Sequence, residues 1–170
     1  KIFKLGQKLD NDIYFIWDVL MKKKVDCFIW GSINSNFIKN KHIKIFFPDP
    51  WNYTSHVIPN DLKQLHILPK YYAKNYTDTE INKIVKYSFL FLKSFIKNKG
   101  INFMLKNFYL IFHSLLSIGL KNYLLFFLFD LISLDIFKQK INSKNNCFSY
   151  IFLNSLDHFQ HNNWNDLMAE

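Results

Sequence analysis

A chain of 170 residues has room for one sizeable domain and its hydrophobic core. Hydrophobic residues make up 49% of it and aromatics 19%, including 19 Phe, which excludes an intrinsically disordered chain. The formal charge is +9 but every side-chain cation counted in it is lysine, so the planar, bidentate fork that specific nucleic-acid recognition recruits is missing, and what remains is a diffuse attraction to anionic substrates or membrane surfaces.

Asp10 or Asn11 is expected to cap a helix through Ile13, Phe15, Ile16, Trp17, Val19 and Leu20, with Lys22 to Lys24 in its last turn. Acid at the start and base at the end suit the helix dipole. Val25-Asp26-Cys27-Phe28-Ile29-Trp30 then reads as a strand, ending at the polar loop Gly31-Ser32-Ile33-Asn34-Ser35-Asn36. Helix, strand and loop in close succession are half of a repeating α/β unit and predict a parallel sheet. Ile43-Lys44-Ile45-Phe46-Phe47 is a second short strand, broken by Pro48-Asp49-Pro50-Trp51. Pro59 opens a helix that Pro69 should interrupt, leaving it short.

Three helices with apolar residues at helical spacing follow. They are expected from Thr77 or Asp78 to about Lys99, from Asn102 to Ser117, and from about Asn122 to Gln139, the first two ended by Gly100 and Gly119. Leu105–Phe137 is the most hydrophobic stretch, but Lys106, His113, Lys121, Asp130 and Asp135 keep every apolar run below the roughly 18–20 residues of a membrane span. The stretch reads as a packed helical insertion whose apolar faces serve core packing or contact a membrane surface peripherally; the alternative is a non-enzymatic, basic, Phe-rich helical module, with 77–140 as its working part, that binds a membrane surface or a partner protein. A return strand follows, Phe148-Ser149-Tyr150-Ile151-Phe152-Leu153, apolar and β-branched enough to be buried. The chain starts at Lys1 with neither methionine nor signal peptide and ends at Glu170, so a segment of a longer protein, cytoplasmic in location, is expected.

The last strand leads into Asp157-x-x-x-His161. Open α/β sheets place ligand sites past the carboxyl ends of their strands, and carboxylate oxygen with imidazole nitrogen is a donor pair that a borderline divalent metal accepts. Two donors do not complete a site, and the competing assignment is an Asp helix cap followed by exposed histidines. His158 is adjacent to Asp157 and points elsewhere, Gln160 and Asn162 are candidate orienting donors, and Trp164 packs the following helix. Asp49, between two prolines, either lines a pocket or closes a plain turn. Gly31-Ser32 is too little for a phosphate cradle. His113 is a core or rim histidine, and His42, His56 and His66 show no partner spacing. Cys27 and Cys147 match no zinc pattern and read as two buried free thiols.

The segment Leu156-Asp157-His158-Phe159-Gln160-His161-Asn162-Asn163-Trp164 resembles the D-x-x-Q-H-x-x-W segment of the alkaline phosphatase superfamily, in its type I phosphodiesterase and nucleotide pyrophosphatase branch. Ile16 to Leu20, Cys27 to Ser35 and Phe47 to Trp51 are similar to that family's earlier helix, strand and glycine-containing loop, and the segment after it. The resemblance covers roughly 10–76 and 146–170. It implies an α/β fold, a partial parallel-sheet sandwich of alkaline-phosphatase type, with 1–76 as its first part, 77–145 as a helical insertion and 146–170 as the return strand and metal-ligand loop. It also implies that Asp157 and His161 ligate one of two divalent metals, usually zinc, and that the substrate is a phosphoric ester. Sulfatases and phosphoglycerol transferases belong to the same superfamily. The family's nucleophile, a Thr or Ser upstream of the matching region, and its later Asp-His pair and final His have no counterpart in this chain, which alone should be inactive.

Overall fold

The computed structural model describes residues 14–37, 39–75, 78, 80–98, 105, 106, 109, 112, 113, 122–141 and 146–155. Helix α1 spans Ile16–Lys22, strand β1 Asp26–Ser32 and strand β2 Ile43–Pro48. A 3-10 turn at Asn60–Leu62 leads into α2, Lys63–Lys74; α3 is Ile81–Lys97, α4 Asn122–Lys140 and β3 Cys147–Ile151. The sheet is parallel throughout, ordered β2-β1-β3. The architecture is therefore α/β, as helix-then-strand alternation predicts.

β1 is the central strand, and all its residues after Asp26 are buried. Such burial on both faces explains why its sequence is continuously apolar and not alternating. Its odd-numbered side chains, Cys27 and Ile29, face α1 and form a core with Trp17, Met21, Ile43 and Phe46, against which Phe148 and Tyr150 of β3 pack. On the other face the Trp30 and Phe47 rings stack at 4.1 Å, and His66 of α2 meets Phe47 edge-on at 5.1 Å. Helices thus cover both sides of the sheet.

Several boundaries differ from expectation. α1 begins at Ile16, and the expected caps Asp10 and Asn11 lie outside the described residues. Asp18 supplies the first-turn acid instead, its Oδ2 accepting the Phe15 N–H at 2.9 Å. β1 does not stop at Trp30 but runs through Gly31 and Ser32, because Ser32 pairs with Pro48 on β2. α2 passes straight through Pro69. An interior proline costs about 3 kcal/mol, and here burial of Leu65, His66 and Ala73 offsets it. β3 is only partly buried, since it has a single strand neighbour among the described residues.

α3 packs on α2: the Tyr71 and Tyr87 rings meet at 5.1 Å, Ser94 Oγ donates to the Asp61 carbonyl at 2.9 Å, and Phe95 is buried. Of the expected 102–117 helix, Leu105, Lys106, Tyr109, Phe112 and His113 are described and helical. Two compact units result, one holding the sheet with α1, α2 and α3, the other holding α4 and residues 153–155.

Candidate functional site

Because the three strands run the same way, their carboxyl ends share one edge, at Ser32, Pro48 and Ile151. Gly31 shapes that edge. Its φ is +75°, and a Cβ on it would lie 2.4 Å from the Phe152 carbonyl oxygen, so the chain leaving β3 presses on bare backbone. The Phe152 N–H donates to the Trp30 carbonyl at 2.9 Å and extends the pairing one residue past the strand. A glycine is needed here for close approach and left-handed backbone, not for a phosphate.

Beneath the edge lies a buried polar network. Asn52 uses both amide hydrogens: Nδ2 donates to the Ser32 carbonyl at 2.8 Å and to Ser35 Oγ at 3.0 Å. Ser35 Oγ passes its own hydrogen to Ser32 Oγ at 2.7 Å. Asn52 Oδ1 accepts from the Thr54 N–H at 3.3 Å, and Lys70 Nζ donates to the Asn52 carbonyl. The Asp49 N–H donates to the Ser32 carbonyl at 3.1 Å, while Asp49 Oδ1 accepts the Trp51 N–H at 2.8 Å. Of the two expectations for Asp49, the carboxylate-closed turn is the one observed. Asn52 and Ser35 are fully inaccessible. This network ties the loop after β1 to the loop after β2 and so holds the strand-end edge in shape.

Two ionisable groups in the network are strongly perturbed. Burial, reinforced by the Lys70 charge, lowers the His66 imidazole pKa to about 4, so His66 is neutral at pH 7. Its Nε2 is buried and lacks a hydrogen-bond partner within the described structure. Burial also lowers Lys70 to about 8, opposed by the nearby Asp49 carboxylate. The Lys70 hydrogen bond reaches Asn52 from 18 positions away, and no spacing rule would have joined them.

The expected metal ligands Asp157 and His161 lie outside the described residues, as do His158, Gln160, Asn162 and Trp164. Ser155, the last described residue, stands two positions before Asp157. There the Ser155 N–H donates to Oδ2 of Asp130 on α4 at 2.6 Å. Asp130 is buried, and its only sequence signal was a lone acid in an apolar run. Among the described residues no group of three or more His, Cys, Asp and Glu side chains could hold a metal ion.

The remaining candidates have local roles. His42 Nδ1 and Asp26 Oδ1 sit 2.9 Å apart at the amino ends of β1 and β2, away from the strand-end edge, and this contact lowers the Asp26 carboxyl. His56 stacks on Phe37 at 5.0 Å, and His113 is exposed, 5.9 Å from the Tyr109 ring. Cys27 is a fully buried free thiol that desolvation pushes up to about 11, whereas Cys147 is only partly buried. No protein-family model, curated protein or solved structure matches the chain.

Proposed function

We propose that this chain is part of a metal-dependent hydrolase or transferase of phosphoric esters, a phosphodiesterase or pyrophosphatase built on an alkaline-phosphatase-type sheet. Asp157 and His161 ligate one of its two divalent metals, zinc by donor type. The nucleophile and the remaining ligands come from outside these residues. The observation that carries the reading is directional: β3 runs parallel to β1, so the chain enters the Asp157 segment from the same strand-end edge that Ser32 and Asp49 border. Within its own compact unit, Asp130 fixes the backbone at Ser155, just ahead of the proposed ligands.

When bound, the metals would act as Lewis acids that activate the nucleophile and stabilise charge on the phosphoryl group. The chain's own part is to present an ionised Asp157 and a neutral His161 in one loop, with Gln160 and Asn162 as orienting donors. The buried free thiol of Cys27 suits a cytoplasmic protein.

The test uses the full-length protein with bis(p-nitrophenyl) phosphate and metal analysis of the purified material. Zinc content should fall in Asp157→Asn and His161→Gln, and hydrolysis should drop about 100-fold or more in each, given what a catalytic metal contributes. Chelation should abolish the wild-type activity and added zinc restore it. Wild-type metal content and hydrolysis in both variants would rule the reading out.

A further inference from the structure

Among the described residues of its own compact unit, one face of α3 has no partner. Ile81, Val85, Phe89, Leu92 and Ile96 are 76, 63, 68, 53 and 55% exposed. At 3.6 residues per turn these five fall within an arc of about 80°. The opposite side of the helix, with Tyr87 and Ser94, packs on α2 and the 3-10 turn before it, and Phe95, about 40° beyond the other edge of the strip, is buried. Lys86, Lys93 and Lys97 occupy the arc beginning roughly 40° beyond the strip, and all three are exposed, as is Lys83. α3 contains no acidic residue.

We propose that α3 seats the protein on an anionic lipid bilayer, its apolar strip entering the boundary between headgroups and acyl chains while the lysines meet lipid phosphates. An apolar arc of Ile, Val, Leu and Phe with lysines along one flank and no acidic residue in the helix is the pattern of a helix lying in the plane of an interface. The flexible lysine stems reach from the level of the strip back to the phosphates. α3 has 17 residues, and no helix among those described is long and apolar enough to cross a membrane, so the helix lies on the surface. A second copy of the chain is the poorer occupant. Strip-to-strip packing would bring one lysine flank against another with no carboxylate between them, and like charges repel. An anionic leaflet supplies the missing countercharge, at about 1 kcal/mol per lysine near the surface. In the other compact unit Leu105, Tyr109 and Phe112 are also exposed at helical spacing. The inference does not depend on the proposed catalytic activity.

Co-sedimentation of the full-length protein with vesicles of phosphatidylcholine alone, and of phosphatidylcholine with phosphatidylglycerol, tests it. The protein should bind the mixed vesicles, weaken with salt without being released, and bind the neutral vesicles less. Phe89→Ser combined with Ile96→Ser should reduce binding about tenfold or more, because two large apolar contacts are lost. Lys86→Gln with Lys93→Gln and Lys97→Gln should remove the preference for anionic vesicles. All five side chains are exposed, and unchanged far-UV circular dichroism shows that the variants fold. Absence of vesicle binding, or binding that salt eliminates and the Phe89/Ile96 variant leaves unchanged, overturns the proposal. So does a dimer in sedimentation equilibrium that the same variant dissociates, since the strip would then belong to a second copy.

Discussion

The Asp130 carboxylate and the Ser155 backbone N–H meet at 2.6 Å across 25 positions of sequence. The acceptor is buried in α4 and the donor stands where the chain turns helical after β3. A carboxylate that accepts a backbone N–H makes a charge-assisted hydrogen bond, stronger than a neutral one. Asp130→Ala should therefore destabilise the protein by about 1.5–3 kcal/mol, the worth of a hydrogen bond to a charged group. Asp130→Asn, which keeps an acceptor oxygen, should lose less. Urea unfolding of the three proteins checks the order, and equal midpoints would show that the contact contributes nothing.

Asn52 joins the two strand-end loops through the two hydrogen bonds its amide gives to Ser32 and Ser35, and it also accepts from the Thr54 N–H at its amide oxygen and from Lys70 at its carbonyl. Asn52→Ala strips away the amide's three and leaves the buried Ser32 carbonyl with fewer donors. A loss of about 2–4 kcal/mol is expected, since stranding buried polar groups costs more than the hydrogen bond itself is worth. Ser35→Ala removes only the link between Asn52 and Ser32 Oγ and should cost about half as much. Thermal unfolding separates them; a Ser35→Ala effect as large as that of Asn52→Ala would show the network is not centred on Asn52.

His66 gives the protein an acid limit. Its folded pKa lies near 4 and its ordinary value is 6.5, with burial the largest cause. Between those values the unfolded chain holds a proton that the folded chain refuses, so stability falls as pH drops from 6.5 toward 4. The loss over that window is on the order of 3 kcal/mol. His66→Gln has no titrating ring and should show a flatter dependence there. Denaturant midpoints measured across the window settle it: parallel curves for wild type and variant would refute the assignment.

Gly31→Ala should be the most damaging single-methyl change at the strand-end edge. The new Cβ would meet the Phe152 carbonyl at 2.4 Å on a residue whose φ is +75°. Left-handed backbone and a backbone clash together predict a loss of roughly 2–4 kcal/mol. Hydrogen exchange at the Phe152 N–H, which pairs with Trp30, should accelerate in the variant. Unaltered protection at Phe152 would mean that the chain leaving β3 accommodates the methyl.

The sheet was legible because its strands carry dense local signals. Val25–Trp30, Ile43–Phe47 and the run from Phe148 are β-branched or aromatic and bounded by turn residues, and each matches a strand. The parallel arrangement followed from a helix preceding β1. Local rules failed where distant contacts decide. β1 continues through Gly31 because β2 and the β3 exit hold it, and α2 tolerates Pro69 because its apolar face is buried. The roles of Asn52, Lys70 and Asp130 were not legible for the same reason, because the partners that define them lie many residues away. Asp157 and His161, legible as a spaced donor pair, stand beyond the described residues.

The position of β3 has a consequence for how the protein is made. Cys27 of β1 pairs beside Phe148 of β3, so this contact joins residues about 120 positions apart, a separation that slows folding. While a ribosome is still translating the intervening helices, α1, β1 and β2 can already assemble. One flank of β1 then offers unsatisfied N–H and C=O groups to any passing strand. A nascent chain stalled before Cys147 should be sticky, and chaperone dependence should end once β3 clears the exit tunnel.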